Sequence, residues 1–359
     1  MTDPARAVSP LLPEPLTEAD RDFPPVVTKY YKTLDGKRIE CTLCPARCRV
    51  ADRERGTCGV RENRDGVYYT LVHSRVCSAH VDPIEKKPFF HFLPGTTAFS
   101  LATPGCNMAC TFCQNWEISQ FRPEQIDCRR LPPAQAAAAA KRWGCPTVTF
   151  TYTEPVVFTE YLLDAAAAAR GAGLKAVSVT NGWIEKEPLH DWLQVLDAVK
   201  VDLKAFTQRF YDEMTGGRLI DVLDTLVRVR KAGVWLEIVT LLIPTLNDSE
   251  KEAASLARWV MKNLGPEVPL HFTRFHPQYR LRNLPATPVA TMERARAAAL
   301  ATGLKFVYLG NIPGHPGENT ACPKCGKVIL KRYAMSLTEN HIVGGVCEYC
   351  KTKIPGVWA

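Results

Sequence analysis

From about residue 96 to residue 310, short β-rich runs alternate with helical stretches, and this alternation limits the fold more than any other feature of the chain. The candidate strands are Thr97–Thr103, Thr147–Thr153, Lys175–Thr180, Ala198–Leu203, Val234–Leu242, Leu270–Phe275 and Lys305–Leu309. Helical patterns fall between them at Pro133–Trp143, Pro155–Gly171, Arg218–Ala232, Glu250–Asn263 and Met292–Ala301. Strands separated by helices of this length form βαβ units, which join parallel strands through right-handed crossovers. Six or seven such units closing partly on themselves make a full or partial (β/α) barrel; opened out, they make a doubly wound sheet. Both arrangements place ligands at the carboxyl ends of the strands.

The flanks differ in character. Residues 1–37 read as a proline-rich lead-in, 38–95 as a Cys-rich segment, 96–310 as the α/β body and 318–359 as a second Cys-rich module. No stretch approaches the roughly 18 apolar residues of a membrane span, and the N-terminus lacks a charged-then-apolar secretory layout. The expected location is therefore cytoplasmic, with no membrane partner. In that setting the 14 cysteines are expected as metal ligands rather than a disulfide framework. The net charge of +8 divides into +2, +3 and +3 over residues 1–95, 96–309 and 310–359. An excess that diffuse argues against nucleic acid as the partner.

After the first candidate strand the sequence runs LATPGCNMACTFCQNW, which sets Cys106, Cys110 and Cys113 in a C-x3-C-x2-C loop. Three closely spaced thiolates suit one face of a 4Fe–4S cluster, and with only three the fourth iron keeps an open coordination position. A zinc site with a remote fourth ligand is the alternative, and Cys128 is a candidate to complete it. This spacing, with Phe112 just before the last cysteine, resembles the signature of the radical S-adenosylmethionine (SAM) superfamily.

The resemblance implies a 4Fe–4S cluster on those three cysteines, SAM chelated at the open iron, and reductive cleavage of SAM to a 5′-deoxyadenosyl radical. It also implies a flavodoxin- or ferredoxin-type reductant. Tyr152-Thr153-Glu154-Pro155 ends the second strand, where the superfamily carries a Gly-Gly-Glu-type motif that binds the methionine amino group. With the glycines replaced, that role falls to Glu154 and the backbone near Thr153. Thr180-Asn181-Gly182 and Val201-Asp202-Leu203-Lys204 resemble elements of the pyruvate formate-lyase activating enzymes, which implies that Asp202 and Lys204 meet the methionine moiety and its carboxylate. A lysine suits a carboxylate as a point charge. Glu237 and Thr240 on the fifth strand, and Arg274, His276 and Gln278 after the sixth, stand where adenosine or substrate is contacted. The expected cofactor-binding set is thus Thr153, Glu154, Thr180, Asn181, Asp202, Lys204, Glu237 and His276.

Cys322, Cys325, Cys347 and Cys350 form C-x2-C-x21-C-x2-C, the layout of a zinc ribbon with two knuckles and a closed four-thiolate site; a rubredoxin-type iron site shares that spacing. Cys41, Cys44, Cys48 and Cys58 form C-x2-C-x3-C-x9-C, which suits zinc or an auxiliary iron–sulfur cluster, with zinc slightly favoured. Cys77, Cys128 and Cys145 have no partner at ligand spacing.

Several further elements, including Gly56-Thr57-Cys58-Gly59-Val60-Arg61-Glu62-Asn63, Gln114-Asn115-Trp116, Phe275-His276-Pro277, Gly310-Asn311-Ile312 and Ile354-Pro355-Gly356-Val357-Trp358, resemble the radical SAM enzymes of the AmmeMemoRadiSam system, over residues 38–359. That resemblance implies Memo-like and AMMECR1-like partner proteins and kinship with glycyl radical activating enzymes. The expected fold is accordingly a partial (β/α)6-type barrel with Cys-rich metal modules at both ends. The expected activity is hydrogen abstraction from a glycyl residue of a partner protein or, alternatively, from a small molecule or RNA; a non-catalytic iron–sulfur or zinc scaffold is the reading from a different class.

Overall fold

The structure, a computed structural model, describes residues 22–358. It divides into two compact units: Met1–Asp82 with Thr97–Asp197, and Pro83–Thr96 with Ala198–Ala359.

The first unit holds three parallel strands, β1 (Thr97–Ala102), β2 (Thr147–Phe150) and β3 (Lys175–Thr180). β2 lies in the middle, with Thr147 opposite Ala98 on one side and Lys175 on the other. All four residues of β2 are buried, as a central parallel strand covered on both faces requires. Helix α1 (Pro133–Arg142) starts on a proline, whose missing N–H costs nothing at that position, and ends on Lys141 and Arg142, which suit the negative end of the helix dipole. Helix α2 (Thr159–Gly171) buries Tyr161, Leu162, Ala165, Ala166 and Ala169, one apolar face at helical spacing. A third helix, α3 (Lys186–Val195), buries Leu189 and Trp192 and was not anticipated from the sequence. Leu189, Trp192 and Leu193 keep helical spacing, but Pro188 within the first turn reads as a break in the sequence.

The N-terminal cysteine segment belongs to this unit. Val26–Val27, Val67–Thr70 and Arg61–Arg64 form one antiparallel sheet; Tyr31–Thr33, Ile39–Cys41 and Arg49–Val50 form another. Part of the expected lead-in, residues 1–21, lies outside the described residues. Residues 26–27 and 31–33, also assigned to it, are paired strands: Val26 lies opposite Thr70, and Tyr31–Thr33 form a local hairpin with Ile39–Cys41.

In the second unit β4 (Ala198–Asp202), β5 (Trp235–Leu242), β6 (Leu270–Arg274) and β7 (Val307–Gly310) run parallel in that order. Helix α4 (Leu219–Lys231) buries Val222, Leu223, Leu226 and Val229. Helix α5 (Glu250–Asn263) is capped by Ser249, whose hydroxyl accepts from Glu252 N at 3.2 Å, satisfying a free N–H of the first turn. Helix α6 (Val289–Leu300) follows. The C-terminal module adds an antiparallel sheet of Thr320–Ala321, Val328–Tyr333 and Ser336–Asn340.

Residues 83–96, expected within the N-terminal segment, form a strap built into the second unit. Its backbone explains why: the N–H groups of Phe90 and His91 donate to Glu237 of β5, and Arg332 of the C-terminal module donates to Phe90 O at 2.8 Å.

Candidate metal centres and cofactor site

The loop after β1 carries Cys106, Cys110 and Cys113. Its start is fixed by Gly105, whose φ of +101° is a conformation that costs glycine little. Cys106 lies in the electrostatic field of Glu154, Cys110 and Cys113, and burial, reinforced by these neighbours, pushes its thiol well above the ordinary range. Each end thiol has a donor beside it: Met108 N approaches Cys106 Sγ at 3.4 Å, and Ser119 Oγ lies 3.2 Å from Cys113 Sγ. Three thiols on one short loop are a soft, all-sulfur donor set, which fits an iron–sulfur cluster. Cys128, weighed as a fourth ligand, instead lies in the field of Arg75 and Cys77, and its thiol is directed to Ile126 O at 3.3 Å.

Glu154 follows β2 and bridges to the end of β3. Its Oε1 accepts the Thr180 hydroxyl at 2.5 Å and Val156 N at 3.1 Å, while Oε2 accepts Asn181 N at 2.7 Å. Asn181 in turn donates to Asn107 Oδ1 at 2.8 Å, holds Nδ2 3.9 Å from Cys106 Sγ, and accepts from Trp183 N at 2.9 Å. The structure therefore joins Cys106, Glu154, Thr180 and Asn181 into one network. It adds Asn107, Val156 and Trp183, which sequence reasoning missed. Only the place of Asn107 next to a ligand cysteine offered a signal. The Thr153 hydroxyl donates to Thr103 O at 2.7 Å, which ties the ends of β1 and β2 together.

Tyr152 has φ +66°, a left-handed conformation costly for any residue but glycine. The substituted motif thus keeps a glycine-like backbone with a tyrosine in it. Asn115 Nδ2 holds the Tyr152 carbonyl at 2.7 Å, and the Tyr152 hydroxyl donates to Asp82.

In the second unit Lys200 and Asp202 share a face of β4 by the two-residue strand period, and Lys204 follows just past the strand end. Lys200 is buried and paired with Asp202; Lys204 Nζ lies 2.8 Å from Asp202 Oδ2. Burial would raise the Asp202 carboxyl, but the two ammonium groups outweigh it and hold it well below the usual carboxylate range. Two cations on one anion give the trio a net positive charge. Lys200 was not anticipated, although its spacing from Asp202 pointed to it.

Glu237, expected among the cofactor-binding residues, lies on β5 and is held by the protein itself. It is 0% exposed, and its carboxylate accepts from Phe90 N at 3.0 Å, His91 N at 2.9 Å, Trp235 Nε1 at 3.0 Å and His271 Nε2 at 2.7 Å. Four protein donors engage a group with about four lone-pair positions, so Glu237 anchors the strap. His91 continues the network, with Nε2 2.6 Å from the Tyr308 hydroxyl and Nδ1 2.7 Å from Pro355 O. His276 is exposed beyond the end of β6.

The C-terminal thiols converge. Cys322, Cys325, Cys347 and Cys350 place their sulfurs within 4.8 Å of one another. Cys322 to Cys350 is 3.5 Å and Cys325 to Cys347 is 3.9 Å, close to the edge of about 3.8 Å of a tetrahedron with metal–sulfur bonds of about 2.3 Å. Both knuckles close alike, with Gly326 N on Cys322 O and Lys351 N on Cys347 O, each at 2.9 Å.

The N-terminal thiols lie in one another's fields as well: Cys41, Cys48 and Cys58 all act on Cys44, which burial above all pushes far up. Cys41 is raised by burial to about 11.

A sequence model of the radical SAM superfamily matches residues 100–257, which span both the three-cysteine loop and the Glu154 network. The uncharacterized protein MJ0808 of Methanocaldococcus jannaschii is 43% identical over 327 residues, 90% of this chain and 97% of that one. The chain belongs to the radical SAM superfamily. A second protein of that organism, uncharacterized protein MJ0674, is 24% identical over 256 residues, 68% of each chain. Among solved structures, a radical SAM methyltransferase from Sphaerobacter thermophilus aligns with a TM-score of 0.48 at 17% identity, over 63% of this chain and 71% of that one. A domain of a pyruvate-formate lyase-activating enzyme from Bacteroides vulgatus aligns with a TM-score of 0.41 at 19% identity, over 46% of this chain and 98% of that one. Membership in the radical SAM superfamily implies SAM and a 4Fe–4S cluster, for which the three-cysteine loop supplies a fitting donor set. Among the described residues no helix is long and apolar enough to cross a membrane.

Proposed function

We propose that this radical SAM protein abstracts hydrogen from a glycyl residue of a partner protein, within the AmmeMemoRadiSam system. The observation that carries the reading is the join of Cys106 to Glu154 through Asn181, because it links a three-thiolate cluster loop to a carboxylate suited to an amino group. Cys106, Cys110 and Cys113 would hold a 4Fe–4S cluster, which when bound would supply the one electron needed for reductive cleavage of SAM. The chain's own residues do the rest. Glu154 holds the end of β3 in place and presents negative charge to the amino group of the methionine moiety. Asn181 and Asn107 orient the Cys106 side of the loop. In the second unit the Lys200–Asp202–Lys204 trio, with its net positive charge, suits an anion such as a carboxylate. The C-terminal thiols close to single-ion size and hold zinc.

Support for a glycyl target comes from Thr180-Asn181-Gly182 and Asp202-Leu203-Lys204, which resemble elements of the activating enzymes. Memo-like or AMMECR1-like proteins are the proposed partners, with a flavodoxin- or ferredoxin-type reductant in the cytoplasm. Anaerobic reconstitution followed by dithionite is expected to release 5′-deoxyadenosine from SAM, and full cleavage by Cys113→Ala would refute the cluster assignment. Electron paramagnetic resonance on a co-purified partner is expected to show a glycyl radical; a product formed instead on free metabolites would refute the protein target.

A further inference from the structure

The N-terminal four-thiol group is built into the cluster loop. Gly105 directly precedes Cys106, and a Cβ placed on it would stand 2.5 Å from Val60 Cγ1 and 3.3 Å from Cys58 O. Cys58 is thus in backbone contact with the residue that leads into Cys106. On its other side, Leu43, between Cys41 and Cys44, accepts from Glu185 N at 3.1 Å, just beyond the Asn181–Trp183 turn. The first four-thiol group therefore touches both segments that hold the Cys106 network.

Two buried donors beside it lack a partner in the protein. Tyr68 and Arg61 are each 0% exposed, and Tyr68 Oη and Arg61 Nε have no hydrogen-bond partner in the protein. Both side chains lie in the field of Cys41 and Cys58. The Tyr68 hydroxyl stands 2.8 Å from where a Cβ on Gly56 would be, a point 3.6 Å from Cys48 Sγ. Gly56 thus leaves open the space between that hydroxyl and the thiol. Leaving two buried donors unpaired is costly, whereas donors directed at thiolate or sulfide are how proteins hold and tune iron–sulfur clusters. The pattern also has a single C-x2-C knuckle, unlike the paired knuckles of the C-terminal group, whose sulfurs close to single-ion size.

We propose that Cys41, Cys44, Cys48 and Cys58 hold a second, redox-active 4Fe–4S cluster that relays single electrons to the cluster on Cys106, Cys110 and Cys113. This rests on the radical SAM reading above. One electron from a flavodoxin- or ferredoxin-type donor takes the second cluster from its 2+ to its 1+ state. Passing that electron to the Cys106 cluster returns the donor cluster to 2+ and reduces the acceptor by one. Cleavage of the sulfonium carbon–sulfur bond then consumes it. Cys48 is partly exposed next to the exposed Thr57, where a donor could approach, and the Cys58 carbonyl borders Gly105.

The test uses the full chain with Cys106→Ala, Cys110→Ala and Cys113→Ala combined. After anaerobic reconstitution it is expected to keep about four iron and four sulfide per chain, with a dithionite-induced paramagnetic signal that SAM does not perturb. An iron-free protein carrying about two zinc ions would overturn the proposal. Because a triple variant can misfold, Cys48→Ser in the otherwise native chain serves as the second arm. It is expected to lose about half the iron, and unchanged iron would overturn the proposal. Tyr68→Phe is expected to keep the iron, lower the midpoint potential of the SAM-insensitive signal and slow reduction of the SAM-sensitive one; an unchanged midpoint would refute the hydroxyl's role beside the cluster. Wild-type SAM cleavage with a zinc-only triple variant sinks this proposal alone. An iron-loaded triple variant with no SAM cleavage by the wild type sinks the radical SAM reading instead.

Discussion

Arg61 is buried against Glu160 of α2, tying the N-terminal cysteine segment to the first helix layer by an ion pair that excludes water from the guanidinium. Arg61 Nη1 also reaches Glu160 Oε1 at 3.0 Å and the Thr28 hydroxyl at 2.8 Å. Breaking one partner of such a pair strands a charge, and the cost usually exceeds the value of the intact pair.

Glu160→Gln is therefore expected to destabilise the protein by about 3–5 kcal/mol in urea unfolding. Burial tends to raise the Glu160 carboxyl, but Arg61 outweighs it and the net shift is downward. The contribution is then present above the unfolded carboxylate value of about 4.3 and is lost as pH falls through the folded value. The difference between wild type and Glu160→Gln should accordingly narrow at acid pH; a difference independent of pH would contradict the pair.

Acid should also loosen the strap through its histidines. Burial lowers His91 to about 4 and lowers His271 too, although Glu237 opposes the shift at His271. A histidine held neutral in the fold protonates first in the unfolded chain, so stability falls as pH drops below about 6.5. Each adds up to about 1.4 kcal/mol per pH unit of decline. Urea midpoints between pH 7 and pH 5 measure this, and His91→Gln is expected to flatten the slope.

Asn181→Ala removes the amide that links Cys106, Asn107 and the Trp183 turn. A supporting contact of this kind typically matters about 10–100-fold, and that loss is expected in 5′-deoxyadenosine formation with folding unchanged by circular dichroism. Retention of full turnover would assign Asn181 to the fold alone.

Cys322→Ser should release zinc, detectable with a chromogenic chelator, and lower the melting temperature. The proposed clusters use other cysteines, so the iron content is expected to stay the same. Loss of iron along with zinc would show that the ribbon group binds iron.

Much of the body was legible from the sequence because apolar runs bounded by turns carry a strong period. Ala198–Leu203 was expected and Ala198–Asp202 formed; Glu250–Asn263 matched at both ends. The Glu154, Thr180 and Asn181 grouping was legible because strand ends converge whatever the loops do. The donors around Glu237 were not legible because alternation does not say what covers a strand's face, and here the cover is a strap with no period of its own. Tyr152 hides a left-handed backbone behind an ordinary side chain, which no composition reveals. The division of the cysteines held a further ambiguity, since spacing alone did not distinguish a site of single-ion size from one set against a neighbouring cluster loop.

The strap also bears on how the chain is made. Phe90 O is capped by Arg332, 242 residues later. A ribosome adding about 5–20 residues per second needs about 12–50 s to cover that interval. Until Glu237 is made, 147 residues after Phe90, the strap lacks its carboxylate anchor, and for the whole interval it lacks Arg332. Nascent chains of this protein should therefore depend on chaperones until the last knuckle emerges, and a truncation just before Arg332 is expected to behave as an aggregation-prone species rather than as a smaller stable fold.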